Sequence, residues 1–208
     1  MVIRGQLKLF HKKGQLVFQA HAITKDGTGE KSQKLSELKE KLTKEGLFDE
    51  SAKTALPTFP KTIGLITAFK SAAMSDFFKV SRLIFPGVKL KVFPAVMQGD
   101  FSAPTIIESI NNAKEYGKCD VLVLLRGGGS KEDLSSFNSE ALVRAISTID
   151  IPFVSAIGHE SDWTLVDFVS DYRASTPSSA AQHLMSDYSK IDELFRAIVN
   201  NENLIKLE

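Results

Sequence analysis

The sequence predicts an α/β fold: a doubly wound, mostly parallel sheet with a short N-terminal β-hairpin and a C-terminal helix. Three observations lead there. From Ile63 onward four short apolar runs follow one another, "IGLITAF", "KLKVFPAV", "VLVLLRG" and "PFVSAIG". Stretches with helical spacing near Ser71–Ile84, Pro104–Tyr116 and Ser139–Ser147 separate them. Runs so continuously apolar are expected to be covered on both faces, which is how parallel strands joined by crossover helices are buried.

Composition agrees with this class. With 208 residues, 43% hydrophobic and 25% charged, the chain can bury one good core with appendages and is not a disordered tail. Its longest apolar runs, such as Val121–Leu125, are far too short to span a bilayer, and "MVIRGQLKLF" lacks the charged-then-apolar order of a signal peptide. A cytoplasmic location is the expectation. The single cysteine, Cys119, can form neither an internal disulfide nor a cysteine metal cluster, and reads as a small apolar residue entering a strand. A net charge of +1 gives no global pull toward nucleic acid, so binding to a polyanion must come from local clusters. One such cluster is visible: residues 1–25 carry Arg4, Lys8, Lys12, Lys13 and Lys25 and no acidic residue.

In chain order, Leu7/Leu9 and Leu16/Phe18/Ala20/Ala22 alternate on either side of "HKKG", which predicts a hairpin turning at Gly14. A lone hairpin is marginal in water, so this one either packs on the rest of the chain or is the remnant of a barrel, and the remnant is the preferred reading. After "KDGTGEKS", taken as flexible, Leu35, Leu38 and Leu42 recur at helical spacing up to Gly46. "TALPTFPKT", with Pro57 and Pro60, marks a domain boundary. At the other end Thr176 before Pro177 is a cap followed by proline in the first helical position. Ile191, Leu194, Ile198 and Ile205 then fit a heptad frame, and the chain stops inside that pattern as a truncated coiled coil would.

Ligands of open α/β sheets sit outside the carboxyl ends of the strands. Three loops there carry reactive side chains: "KSAAMSD" with Asp76, "RGGGSKED" with Arg126, Gly127, Gly128, Gly129 and Ser130, and "GHESD" with His159 and Asp162. Glycines let an anion approach backbone N–H groups and permit unusual φ angles, and Arg126 adds a charged fork suited to phosphate. At a loop mouth between glycines, Arg126 is expected to matter little for packing. The stretch is not a dinucleotide fingerprint, because Glu132 stands where the third glycine belongs, and no Gly-Lys-Ser/Thr closes it as a P-loop. His159 can act as general acid or base with Asp162 orienting its ring. Asp76 reads equally as a helix-start carboxylate, and Trp163 as a base-stacking or a packing residue. Two other classes stay open: a small-molecule hydrolase using Ser130, His159 and Asp162 without any Gly-x-Ser-x-Gly elbow, and a non-catalytic nucleotide or sugar-phosphate binding module.

"GLITAFKSAAMSDF", "VFPAVMQGD", "RGGGSKEDLSSFNSE" and "VSAIGHESDWTLVDFVSDYRASTPSSAA" together resemble the catalytic domain of the large subunit of bacterial exodeoxyribonuclease VII, in register from about Val2 to about Asp187. The resemblance implies exonucleolytic hydrolysis of single-stranded DNA from either end, releasing oligonucleotides. It implies functional residues at Asp76, Arg126, His159 and Asp162, and a phosphate held by Arg126, Gly127, Gly128, Gly129 and Ser130. "GHESD" departs from the more usual pattern only at Ser161, which keeps a hydroxyl. The hairpin then resembles the end of an OB-fold that binds DNA through Arg4, Lys8, Lys12 and Lys13. The last helix resembles the start of a coiled coil that engages several copies of a small subunit. No cofactor is expected to be required, a divalent metal such as Mg is left open, and its ligands are unknown. The implied segments are an OB-fold remnant at 1–31, a linking helix at 32–56, the catalytic domain at 57–187 and the coiled-coil start at 188–208.

Overall fold

A computed structural model of the chain describes residues 2–10, 15–24, 28–128, 131–158 and 162–194. They fall into two compact units, Met1–Glu45 and Gly46–Glu208.

In the first unit, β1 (Val2–Phe10) and β2 (Gln15–Thr24) form an antiparallel hairpin. Its backbone register sets Leu7 opposite Phe18 and Leu9 opposite Leu16. The register shifts between Arg4 and Gly5, where any Cβ would run into the Gln19 carbonyl and the Phe18 ring. The expected turn at Gly14, with Lys12 and Lys13, lies outside the described residues. Helix α1 (Thr28–Lys44) begins inside the segment expected to be flexible. Of the two glycines in that segment, Gly27 precedes the helix and only Gly29 falls within it.

The second unit holds β3 (Thr62–Thr67), α2 (Ala72–Ile84), β4 (Lys89–Pro94), α3 (Ser102–Tyr116), β5 (Val121–Leu125), a 3-10 segment (Lys131–Asn138), α4 (Glu140–Ser147), β6 (Phe153–Ala156), α5 (Leu165–Val169), β7 (Tyr172–Arg173) and α6 (Pro177–Leu184). The five strands are parallel in the order β4-β3-β5-β6-β7. The chain first steps outward from β3 to β4, then returns past β3 to β5. The winding direction therefore reverses between β3 and β5.

Alternation along the strands sends side chains to two faces. Ile63, Leu65, Val121, Val123, Leu125, Val154 and Ala156 join Ala73 and Phe77 of α2 and Ala180, Ala181 and Leu184 of α6 in one core. Helices α3, α4 and α5 pack side by side elsewhere, and Ile66, Leu122 and Leu124 point away from the first core, fully buried. Gly64 lies between the layers: a Cβ there would stand 2.5 Å from a Leu122 methyl and 2.9 Å from Cys119 Sγ. Burial pushes the Cys119 thiol up to about 11, with Asp120 adding to the rise, which fits the packing role expected of it.

Coverage on both faces holds for β3, β5 and β6 but not for β4. That strand is at the sheet edge, with Lys89 and Lys91 exposed, and charged edge residues oppose pairing with another chain. The opposite edge is β7, two residues long and without a periodic signal in the sequence. Two carboxylates pin the strand starts: Asp120 accepts from Lys61 N and Thr62 N at 2.8 and 2.7 Å, and Asp171 from Thr54 N and Phe153 N at 2.7 and 2.6 Å. Helix α6 starts as its sequence predicts, with Thr176 Oγ1 accepting from Ser179 N and Pro177 in the first turn. Residues 186–194 are helical, with Ile191 and Leu194 exposed; Ile198 and Ile205 lie outside the described residues. Among the described residues no helix is long and apolar enough to cross a membrane.

Candidate active site

Strand β5 ends at Leu125, and the next backbone N–H, that of Arg126, donates to Ala156 O at 3.0 Å. The β5–β6 ladder thus extends by one residue and fixes where the arginine side chain starts. Arg126 is only 6% exposed. The expectation of an exposed loop-mouth residue with little weight in packing is therefore corrected: Arg126 is buried at the strand ends, where it shares clefts with residues after β3, β4 and β6.

Arg126, Gly127 and Gly128 line a cleft of about 250 Å³ together with Ala72, Ala73 and Asp76 of α2, Ile157 and Gly158 after β6, and Ser175–Ser178 at the start of α6. Two helices therefore point their N-termini into one space. Ser71 caps α2 by accepting from Met74 N at 3.1 Å, and Thr176 caps α6, so each cap serves the third amide of its helix while the first turn faces the cleft. Helix N-termini carry a partial positive charge and favour anions. With a guanidinium between them, the cleft suits a phosphate or carboxylate. Asp76, one turn into α2 and exposed, sets a carboxylate on the same wall.

The glycines act differently from the sequence expectation. The glycines with positive φ among the described residues are Gly46, Gly99 and Gly117, so Gly127 and Gly128 do not use their left-handed freedom. A Cβ on Gly128 would meet nothing within 4 Å, and one on Gly127 only ordinary contact with Ala73 at 3.8 Å. What these positions supply is room. Gly158 differs: its Cβ would sit 2.6 Å from the Asp162 carbonyl oxygen, so this close approach of backbones admits only glycine. Gly129, Ser130 and His159 lie outside the described residues. The structure thus brings Asp76 and Arg126 into one cleft and sets half-buried Asp162 next to its wall at Gly158.

Sequence reasoning missed the support behind Asp162. Asp167, buried in α5, accepts from Ser155 Oγ at 2.7 Å and from Thr164 N and Oγ1 at 2.8 Å each, with Arg173 Nε 3.7 Å away. Asn138 Oδ1 accepts from Leu165 N at 2.8 Å, tying the 3-10 segment to the same place. Trp163 lays its exposed ring over the Arg173 guanidinium at 4.3 Å and against Phe168. Thr164 and Asp167 form a capping box, a pattern that "TLVD" does carry in the sequence.

Among the described residues no group of three or more His, Cys, Asp or Glu side chains could hold a metal together. Asp76 is the one carboxylate among the described residues lining the cleft.

Residues 47–204 match the family described as exonuclease VII, large subunit. Curated relatives carry the name exodeoxyribonuclease 7 large subunit. That of Listeria innocua is 40% identical over 193 residues, 93% of this chain and 43% of the relative. That of Hahella chejuensis is 42% identical over 190 residues, 91% of this chain and 43% of the relative. That of Vibrio parahaemolyticus is 40% identical over 193 residues, 93% of this chain and 44% of the relative. The chain spans less than half the length of these relatives.

Proposed function

Because the chain belongs to the exonuclease VII large-subunit family, we propose that its cleft hydrolyses phosphodiester bonds in single-stranded DNA, from either end and with release of oligonucleotides, as the catalytic part of a cytoplasmic enzyme. The observation that carries this reading is the convergence of Arg126, Asp76 and the N-termini of α2 and α6 on one cleft. Phosphodiester hydrolysis needs charge stabilisation at phosphorus, an oriented water and a proton for the leaving oxygen. Arg126 and the amides around Gly127 and Gly128 hold the phosphate oxygens, extended by Gly129 and Ser130. Asp76 positions the attacking water. His159 moves the proton, and Asp162 orients its ring.

A two-metal clamp generally wants several convergent carboxylates. Among the described residues the cleft offers Asp76, and the side chains of Glu132, Asp133 and Glu160 on the neighbouring loops lie outside the description. The proposed steps run through Arg126 and the helix amides, and the chelator arm of the test decides whether a divalent metal joins them. Arg4, Lys8, Lys12 and Lys13 of the hairpin would track the strand as part of an OB-fold. The heptad positions from Ile191 onward would take the small subunit, and the exposure of Ile191 and Leu194 supports that use.

The test is an assay of the full-length protein with its small subunit on end-labelled single- and double-stranded DNA, with and without chelator. Cleavage confined to single strands and surviving chelator is the expected result. Saturable nucleotide binding without any cleavage would replace the nuclease by a binding module. Complete loss in chelator would move the chemistry to a metal.

A further inference from the structure

A second cleft of about 480 Å³ adjoins the first. It opens where the winding of the sheet reverses, between the loops after β3, β4 and β5, and it shares Arg126, Gly127 and Gly128 with its neighbour. A ligand that puts an anionic group against Arg126 can therefore extend into it. Its lining is mainly apolar around buried Met97, with Gln98 as a polar group, and its size falls in the range of small-ligand sites.

At its mouth stands Phe69, 66% exposed. The turn that presents it is strained: Ser71 N donates to Ala68 O, and Lys70 has φ of +58°, the one non-glycine residue with positive φ among those described. A lysine held there costs stability, and such strain concentrates at ligand-handling sites. Lys70 Nζ lies 5.7 Å from the Phe69 ring centroid, so the ring comes paired with a cation. An exposed ring beside a lysine, over an apolar cleft that continues from a phosphate site, matches what a nucleotide presents: a flat base, a sugar and a negative charge.

Taking the first cleft as the place where a DNA phosphodiester is cut, we infer that the second cleft holds the nucleoside attached to that phosphate, with its base stacked on Phe69 and the next phosphate near Lys70. Phe69 is thus a positioning residue for the strand. It is sequence-tolerant, since every base has a face to stack.

The test uses the full-length protein with its small subunit and an end-labelled single strand carrying one abasic nucleotide, with cleavage read bond by bond. In the native enzyme the bond beside the abasic position should be cut about five- to tenfold less often than distant bonds, the low end of what base–aromatic stacking supplies. In Phe69→Ala all bonds should be cut less, mainly through a higher KM, and the local dip should vanish. Phe69→Trp should restore it. A dip that persists in Phe69→Ala, or a native enzyme that cuts beside the abasic position as well as elsewhere, overturns the assignment while leaving the nuclease intact. A native enzyme that cuts nowhere removes the nuclease reading and this subsite together. Because Phe69 is exposed, the variant should melt like the native protein, and a melting curve checks that.

Discussion

Replacing Arg126 separates the two things its side chain does in the cleft. Arg126 lines the cleft proposed to hold the phosphate and is only 6% exposed, so its stem is packed as well as its charge placed. Arg126→Ala removes two buried methylenes beyond Cβ, each worth about 0.8 kcal/mol, so the loss of packing is about 2 kcal/mol. For a domain of this size that lowers the melting midpoint by about 4–8 °C. Arg126→Met keeps a stem of similar length without the charge and should stay within about 1 kcal/mol of the native stability. Both should lose about two to three orders of magnitude in turnover, the usual cost of a preorganised donor to the transition state. Arg126→Lys should recover part of the rate, since it returns the charge but not the planar fork. The assay pairs a thermal melt with single-strand cleavage on the full-length protein, and with strand binding, which should survive in all three. An Arg126→Met protein that cuts within a few-fold of native would refute the assignment, because it retains everything except the charge.

Three further outcomes follow from the same geometry. Asp76→Asn should lower turnover by about a hundredfold, within the range for a group that handles a proton or water, with an unchanged melt because the residue is exposed. Gly128→Ala and Gly158→Ala should fail in opposite ways: the first has room for its methyl and should fold normally but cut slowly, because the methyl takes up space for the phosphate, while the second meets the Asp162 carbonyl and should melt early. A cleavage assay beside a melt distinguishes them. Because the Cys119 thiol is held up to about 11, the folded state keeps its proton after the unfolded chain has released its own. Stability from this group is thus whole below the ordinary thiol value and is lost as pH rises toward 11. Cys119→Ala should flatten that alkaline loss in a pH series of melts.

Much of the sheet was legible in the sequence, and the reasons are local. β3, β5 and β6 are buried from both sides, so nearly every residue in them is apolar, and the helices between them carry their own periodicity. β7 and α5, two and five residues long, are too short to repeat anything, and only the capping box of α5 leaves a trace. β4 reads as a core strand because Leu90, Val92 and Phe93 dominate it, yet its lysines announce an edge. That Asp76 and Arg126 share one cleft was legible because both follow the ends of parallel strands, where loops converge. How deeply Arg126 lies could not, since burial is decided by loops distant in the chain. Thr176 was read for its cap alone, although the same turn lines the cleft. The left-handed Lys70 and the cleft beneath Phe69 leave no pattern in the sequence, because neither has a period.

The course of the chain after α6 sets where the protein can be held. Pro177 and Ser178 form part of the cleft wall, but about three turns later Tyr188 stacks on Phe85 at 4.1 Å and reaches Pro60 O at 3.4 Å. Phe85 follows the end of α2 and Pro60 precedes β3, so both belong to the floor of the sheet, away from the strand ends that face the cleft. Any grip on the helix beyond Tyr188 is applied from the far side of the sheet. A handle placed there leaves the strand ends clear, and a pull along it is borne by the Tyr188 contacts with Phe85 and Pro60 before it reaches the turn at Thr176, one wall of the cleft.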